Sequence, residues 1–284
     1  MDIKERNQTM TDRLEQLLEC FELKANVFQA GPLCHSGDFG TEKDVGYIHI
    51  LQQGSLLVES NNHKPLTLSE PSLVLYMNTA QHRLIPQKKD THTLCASFEF
   101  GAGLVNPILS GFPEVICLKL EDLTDLKNTL HLMFNEASDD HCGRQAVLNR
   151  LIEVVFIQIL RDLMDEHRIH VGLLAGLADP RLEKVLNALH KEPAKAWSLE
   201  ELASTAGMSR ARFATKFRDI VGMTPGYYLS EWRICIAQAL INKGKPIQLI
   251  ADTVGYASAS ALSRAFKAHR GITPTEWAKQ HKDI

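Results

Sequence analysis

Hydrophobic positions along the chain follow two different rhythms. Between about residues 22 and 118 they come in short runs separated by turn residues, as in "GYIHILQQGSLLVES", "SLVLYMN", "HRLIPQ" and "HTLCASFEF". Alternation with β-branched and aromatic residues predicts strands, and several strands at short spacing predict a sandwich or barrel. Gly54, Asn61-Asn62 and Pro71 stand where the turns should be. After Glu121 the period becomes helical, first in "LTDLKNTLHLMFNEA" and then from Gly143 to Glu166. The second of these helices is apolar round most of its circumference, so it must be covered by its own barrel or by another subunit.

The last third of the chain repeats itself. "GMTP" at Gly222 to Pro225 recurs as "GITP" at Gly271 to Pro274, and the flanks match as well. Leu202-Ala203 and Gly207 correspond to Ile250-Ala251 and Gly255; Phe213 and Phe217 correspond to Leu262 and Phe266. The offset is 49 from the Phe213/Leu262 pair onward and 48 before it, so a turn absorbs one residue. Each copy reads as a helix-turn-helix. Ser198 and Glu201 have the spacing of a capping box, Gly207 suits a turn with positive φ, and Ser209 is placed to cap a second helix, Arg210 to Val221. Phe213, Phe217 and Ile220 form its inward face. In the second copy the corresponding helix runs from about Ser258 to His269. Between the copies, "PGYYLSEWRICIAQALINKG" reads as one long helix carrying Leu229, Trp232, Ile236 and Leu240 and closed by Gly244, holding the two units at a fixed separation.

Rotation then selects the outward residues. At about 100° per residue, the first helix presents Ala211, Ala214, Thr215 and Arg218, with Arg210 and Arg212 at its edges. The second presents Ser260, Ser263, Arg264 and Lys267. In a helix-turn-helix these positions meet the major groove, where Arg pairs with guanine and Lys or Arg at the edges holds phosphate. Charge points the same way. The net −3 divides into −10 for residues 1–179 and +7 for residues 180–284, which gives the C-terminal part an anionic partner.

These motifs resemble the DNA-binding domain of the AraC/XylS family of transcription regulators over about Pro180 to Lys282. The resemblance rests on Leu202-Ala203, Gly207-Met208-Ser209, Phe213, Phe217 and Gly222-x-Thr224-Pro225. It continues through Ile250-Ala251, Gly255-Tyr256, Ser258-x-Ser260, Leu262-Ser263-Arg264-x-Phe266-Lys267 and Gly271-x-Thr273-Pro274. Leu262 stands where Phe is commoner, and His269-Arg270 replace the usual apolar or aromatic residue before the glycine. The resemblance implies two recognition helices in successive major grooves and recruitment of RNA polymerase at a promoter, with activation as the default.

The acidic part resembles the small cupin-type barrel that many such regulators carry for sensing and dimerisation. "SEPSLVLYMNTAQHRL" is similar to the second cupin motif with His82 at its histidine, but Met77 and Thr79 replace the usual Pro and Gly. Tyr47 occupies the usual Glu position of the first motif, so at most one of four metal ligands is present and no cofactor or metal is expected. The candidate sensing residues are Cys34, His49, His82 and Cys95. His49 alternates with apolar neighbours and reads as interior, most simply as a lone core histidine. Cys34-His35 lies in a glycine-bounded segment and Cys95 on a strand ending at Phe100. A thiol beside an imidazole is oxidisable, and some relatives in this sensor class respond to oxidants, whereas free cysteines are more often small buried hydrophobes. A zinc site from Cys34, His35, His82 and Cys95 has no recognisable ligand spacing.

The chain is thus expected to be an α+β, two-domain protein. Residues 10–165 form a cupin-like sensor and dimerisation domain with a helical hairpin, 166–179 a linker, and 180–284 an all-α domain with two helix-turn-helix units. Its partners are promoter DNA, RNA polymerase, a small-molecule or oxidant effector and a second copy of itself. The polar N-terminus, the lack of an apolar run of membrane-spanning length, and six scattered cysteines without a C-x-x-C pair point to a cytoplasmic protein, and the missing cupin metal ligands argue against an enzyme. The competing readings are a metal-dependent cupin enzyme with an accessory DNA-binding domain, and a constitutive architectural protein.

Overall fold

The computed structural model describes residues 12–42, 45–77, 80–100 and 111–280. Thr79 of the second cupin motif and Lys282 at the end of the repeat lie outside them. Contacts divide the chain into two compact units. One is Leu23–Ile169; the other is His170–Ile284 together with the residues ahead of Leu23.

The first unit is built from two antiparallel sheets. Its strands are β1 (Leu23–Pro32), β2 (Gly37–Phe39), β3 (Gly46–Gln53), β4 (Leu56–Ser60), β5 (Leu66–Leu68), β6 (Ser72–Tyr76), β7 (His82–Pro86), β8 (His92–Phe100) and β9 (Val115–Lys119). The five-stranded sheet has the order β1-β8-β3-β6-β9 and the four-stranded one β2-β7-β4-β5. Side chains of period two from both sheets meet inside, among them Tyr47, Leu51, Leu56, Val58, Val74, Tyr76, Leu84 and Cys95.

Strand β1 is an edge, and an uncovered edge leaves backbone groups without partners. Here a helix covers it. In the helical hairpin α2 (Lys127–Ser138) and α3 (Arg144–Asp165), α3 sends Asn149 Oδ1 to accept from Val27 N (2.9 Å), while Gln145 Nε2 donates to Val27 O (2.6 Å). This happens at the point where the β1–β8 register shifts between Val27 and Gln29. The same helix packs Phe156 against Phe98 and Phe100 of β8. The all-round apolar helix is therefore covered on one side by its own sheet, while Val147 and Val154 remain exposed.

The second unit is all helical: α1 (Glu15–Phe21), α4 (Leu173–Ala178), α5 (Leu182–Lys191), α6 (Leu199–Thr205), α7 (Arg210–Val221), α8 (Pro225–Asn242), α9 (Ile247–Val254), α10 (Ala259–Arg270) and α11 (Pro274–Gln280). Two placements differ from the expected boundaries. Residues 15–21, assigned above to the sensor domain, pack in this unit: Leu17 and Phe21 are fully buried, with the Phe21 ring edge-on to Trp232 of α8 at 5.8 Å. The stretch 166–179, expected as a linker, contains the buried α4. Gly176 fits there because any Cβ would lie 2.8 Å from Leu186 Cδ1 and 3.0 Å from Val221 Cγ2, and Gly172 N donates to Ile220 O (2.7 Å).

Candidate nucleic-acid interface and barrel cleft

Each recognition helix is set by local chemistry at both ends. Before α7, the capping box at α6 is formed as read: Ser198 Oγ accepts from Glu201 N (3.1 Å), and Glu201 Oε2 accepts from Ser198 N (2.8 Å). Helix α7 has the bounds expected of it and ends on Gly222 in the left-handed region (φ 86°). Ser209 has the extended backbone of a cap, but its side chain makes no capping bond. Phe213 and Phe217 are fully buried, and Val221 rather than the half-buried Ile220 completes the inward face. Helix α10 is capped by Ser258 Oγ, which accepts from Ala261 N (3.2 Å), and ends on Gly271 (φ 77°). Leu262 and Phe266 are its buried anchors.

With those anchors fixed, the expected outward residues do lie outward. Arg210, Ala211, Arg212, Thr215 and Arg218 on α7 are exposed, as are Ser260, Arg264 and Lys267 on α10; Ala214 and Ser263 are half-buried. One basic side chain of α7 is occupied elsewhere. Lys216 Nζ pairs with Asp179 Oδ2 at 2.5 Å, and Asp179 Oδ1 also accepts from Arg181 N and Leu182 N at the start of α5. Although burial opposes ionisation, Lys216 and the two backbone N–H groups hold the Asp179 carboxyl below the ordinary carboxylate range.

Inside the barrel, His49 is not a lone core histidine. Its Nε2 lies 2.7 Å from Nε2 of His82, and both rings are buried. His82 Nδ1 donates to Ala80 O at 2.7 Å, which leaves its Nε2 bare as acceptor for His49 Nε2–H. His49 Nδ1 is then a buried acceptor with no hydrogen-bond partner. Tyr76 stacks on His82 with ring centroids 3.8 Å apart, and Phe39 and Tyr47 close the aromatic surround. Nothing in the local pattern links positions 33 residues apart; the packing of the two sheets against each other brings them together. His82 also lines an open cleft of about 520 Å³ with Phe39, Glu59, Asn61, Gln81 and Arg83.

The cysteines are differently placed. Cys34 is exposed, while Cys95 is fully buried opposite His49 in the β3–β8 register, and burial pushes its thiol up to about 12. A reactive thiolate needs an electropositive, accessible setting, and Cys95 lacks both. Cys34, His35, His82 and Cys95, weighed above as a zinc set without ligand spacing, are not assembled into one: among the described residues no group of three or more His, Cys, Asp or Glu side chains could hold a metal ion. No described helix is long and apolar enough to cross a membrane.

Burial of the histidine pair makes acid the enemy of the barrel. Burial, with His63 adding to it, brings His82 down to about 4, and burial beside His82 holds His49 well below 6.5. Unfolded, both take a proton near 6.5; folded, they do not. The contribution of the pair is therefore complete above pH 6.5 and lost as pH falls from there toward 4, where His82 takes a proton in the folded state. Protection factors over residues 23–169, corrected for the intrinsic pH dependence of amide exchange, should fall in that window, and His82→Phe should flatten the dependence.

Two helix-turn-helix units sharing one long helix, joined in one chain to a double-sheet β unit, define a DNA-binding regulator with an appended β-domain. Comparison with known proteins supplies the family. The model of the Cupin family matches residues 12–165, and that of the Helix-turn-helix domain matches residues 202–280. The "RCS-specific HTH-type transcriptional activator RclR" of Escherichia coli is 28% identical over 242 residues, covering 83% of this chain and 85% of the relative. An uncharacterized HTH-type transcriptional regulator of Haemophilus influenzae is 28% identical over 264 residues, or 84% of this chain and 88% of that one. A "Putative AraC-like transcription regulator" of Streptomyces antibioticus reaches 42% over 197 residues, 68% and 65% of the two chains. Among solved structures, fatty-acid-bound ToxT of Vibrio cholerae covers 92% of this chain and 96% of its own at 15% identity, with a TM-score of 0.43. The DNA-binding domain of AdpA in complex with a target DNA covers 37% and 95% at 27% identity, with a TM-score of 0.35. Scores this low are loose overall likenesses. The chain belongs to the AraC-type transcription regulators with an N-terminal cupin domain; it is a DNA-binding regulator and not an enzyme.

Proposed function

We propose that this regulator activates transcription by reading two successive major grooves with α7 and α10, under control of a small molecule held in the barrel cleft over His82. The observation that supports it most is the matched pair of recognition helices, each anchored by two buried apolar residues four apart and presenting exposed basic and small polar side chains. Arg264 is the base reader of α10, with Lys267 on phosphate; Arg210, Arg212 and Arg218 steer α7, whose Ala211, Ala214 and Thr215 offer methyl and hydroxyl contacts. RNA polymerase is the partner at the promoter. A second copy of the chain is the partner of the sensor domain, whose α3 leaves Val147 and Val154 uncovered.

The test is binding of the full chain to duplexes selected from a random pool. Arg264→Ala should weaken the selected site by about 1–3 kcal/mol and relax preference at one base pair. Unchanged affinity removes Arg264 as a reader. His82→Phe should abolish any effector-dependent change in binding while leaving basal affinity intact.

A second reading has an oxidant as the signal. Exposed Cys34 beside His35 favours it, and so does the likeness to a relative named RCS-specific. An oxidant response that survives in Cys34→Ser excludes that thiol as the sensor.

A further inference from the structure

The long α8 joins the two DNA-reading units, but one shared helix does not by itself fix the angle between them. Each unit is attached through its own apolar contacts, and rotation about those contacts is limited only by what else touches. Arg233, midway along α8, touches both units. Its Nε donates to Pro193 O (2.7 Å) and its Nη2 to Lys195 O (2.9 Å), both carbonyls in the loop that leads into α6. Its Nη1 reaches Gly255 O at 3.5 Å, in the turn between α9 and α10, and its guanidinium stands over the Tyr256 ring at 5.7 Å.

Loop and turn also meet directly. Gly255 has φ 81°, and a Cβ there would fall 2.5 Å from Ala194 O and 2.6 Å from Ala194 Cα. On the other side of the loop, Lys195 Nζ lies 3.5 Å from Glu201, the acid of the α6 capping box, and 3.8 Å from the Trp197 ring centre. A continuous series of contacts thus runs from the start of the first helix-turn-helix, through Arg233, to the turn of the second. A planar guanidinium serves three carbonyls in different directions, which the point charge of a lysine does not reproduce.

We propose that Arg233 is a positioning residue that sets the angle between the two DNA-reading units and thereby the spacing of the two half-contacts they accept. The proposal rests on the reading that both α7 and α10 contact DNA. Two recognition helices held rigidly demand half-contacts about one helical turn apart. Loosely held, they act as tethered modules, and affinity depends far less on the span between half-contacts.

The probe is a duplex selected from a random pool by the full chain, its two half-contacts mapped by footprinting, together with versions carrying one base pair inserted or deleted between them. The native protein should lose about tenfold or more in affinity on either change. Arg233→Met should bind the parent duplex about tenfold more weakly, lose most of that spacing penalty, and keep the native salt dependence because no phosphate contact is removed. Arg233→Lys should be intermediate in spacing; it carries the test if Arg233→Met melts out. A full spacing penalty retained in these variants overturns the proposal. So does a salt slope lowered by about one, which assigns Arg233 to a phosphate instead. A one-part footprint of the native protein overturns the two-helix reading first, and the proposal with it.

Discussion

Phe21→Ala should cost the helical unit about 3–5 kcal/mol, although residue 21 lies 189 positions ahead of Arg210, the start of the first recognition helix. Phe21 is fully buried and edge-on to Trp232, whose ring also meets His190 at 4.3 Å, so its removal opens a cavity against the middle of α8. Leu17, one turn earlier, is equally buried, and Glu22 pairs with Lys243 at the far end of α8 (2.9 Å). All three tryptophans, Trp197, Trp232 and Trp277, belong to this unit, so tryptophan fluorescence in denaturant reports on it alone. Its midpoint should fall in Phe21→Ala, and again on deletion of residues 12–22. A fluorescence transition unmoved by both changes would show that α1 is no part of the unit's core.

How much of this was legible beforehand depends on how far apart in sequence the partners are. Helix α7 could be bounded to the residue because Phe213 and Phe217 carry the period and Ser209 and Gly222 punctuate it. The repeat placed α10 to within one residue at each end, about Ser258 to His269 expected against Ala259–Arg270 observed. Helix α1 carries the same kind of signal, Leu17, Leu18 and Phe21 at helical spacing after Leu14 at its cap, but in seven residues flanked by charge it reads only as the polar start of the sensor domain. Helix α4 is shorter still and contains a glycine, so "LLAGLA" reads as linker until Leu186 and Val221 are seen against Gly176. In both cases tertiary packing, not local propensity, makes the helix.

The barrel shows the sharper limit. Alternation along β3 was enough to place His49 inside, but not to show what it meets there. That depends on strand order: β3 and β7 lie in different sheets, so no hairpin rule relates His49 to His82. The same topology separates Cys34 and Cys95, which sequence reasoning had grouped by chemistry alone. One is exposed ahead of β2 and the other is sealed on β8, between β1 and β3 of the five-stranded sheet.

The departure from the family pattern at His269-Arg270 leads to the second large effect. Where an apolar residue is usual, the Arg270 side chain is only 3% exposed and is ion-paired to Glu231 of α8. Its Nε donates to Gln238 Oε1 (3.0 Å), its Nη2 contacts Cys235 Sγ (3.3 Å), and His269 Nδ1 donates to the other oxygen of Glu231 (2.6 Å). Arg270→Ala would leave the Glu231 carboxylate buried with only the His269 hydrogen bond facing it from α10, which should cost about 3–5 kcal/mol, more than truncation of an apolar side chain of similar stem. The comparison that isolates the charge is the double change Glu231→Leu with Arg270→Met, which refills the space without ions and should recover most of the loss. Fluorescence-detected unfolding of the three proteins reads both results. If Arg270→Ala is no worse than about 1 kcal/mol, the ion pair is screened and α10 is held to α8 by Leu262 and Phe266 alone. If the double change is as unstable as the single one, what matters at this joint is the hydrogen bonding to Gln238 and Cys235 and not the charge. Either way the pair sits at the C-terminal end of α10, immediately before Gly271, so its loss should also loosen the helix that carries Arg264. Stability and DNA affinity are expected to fall together in Arg270→Ala and to return together in the double change.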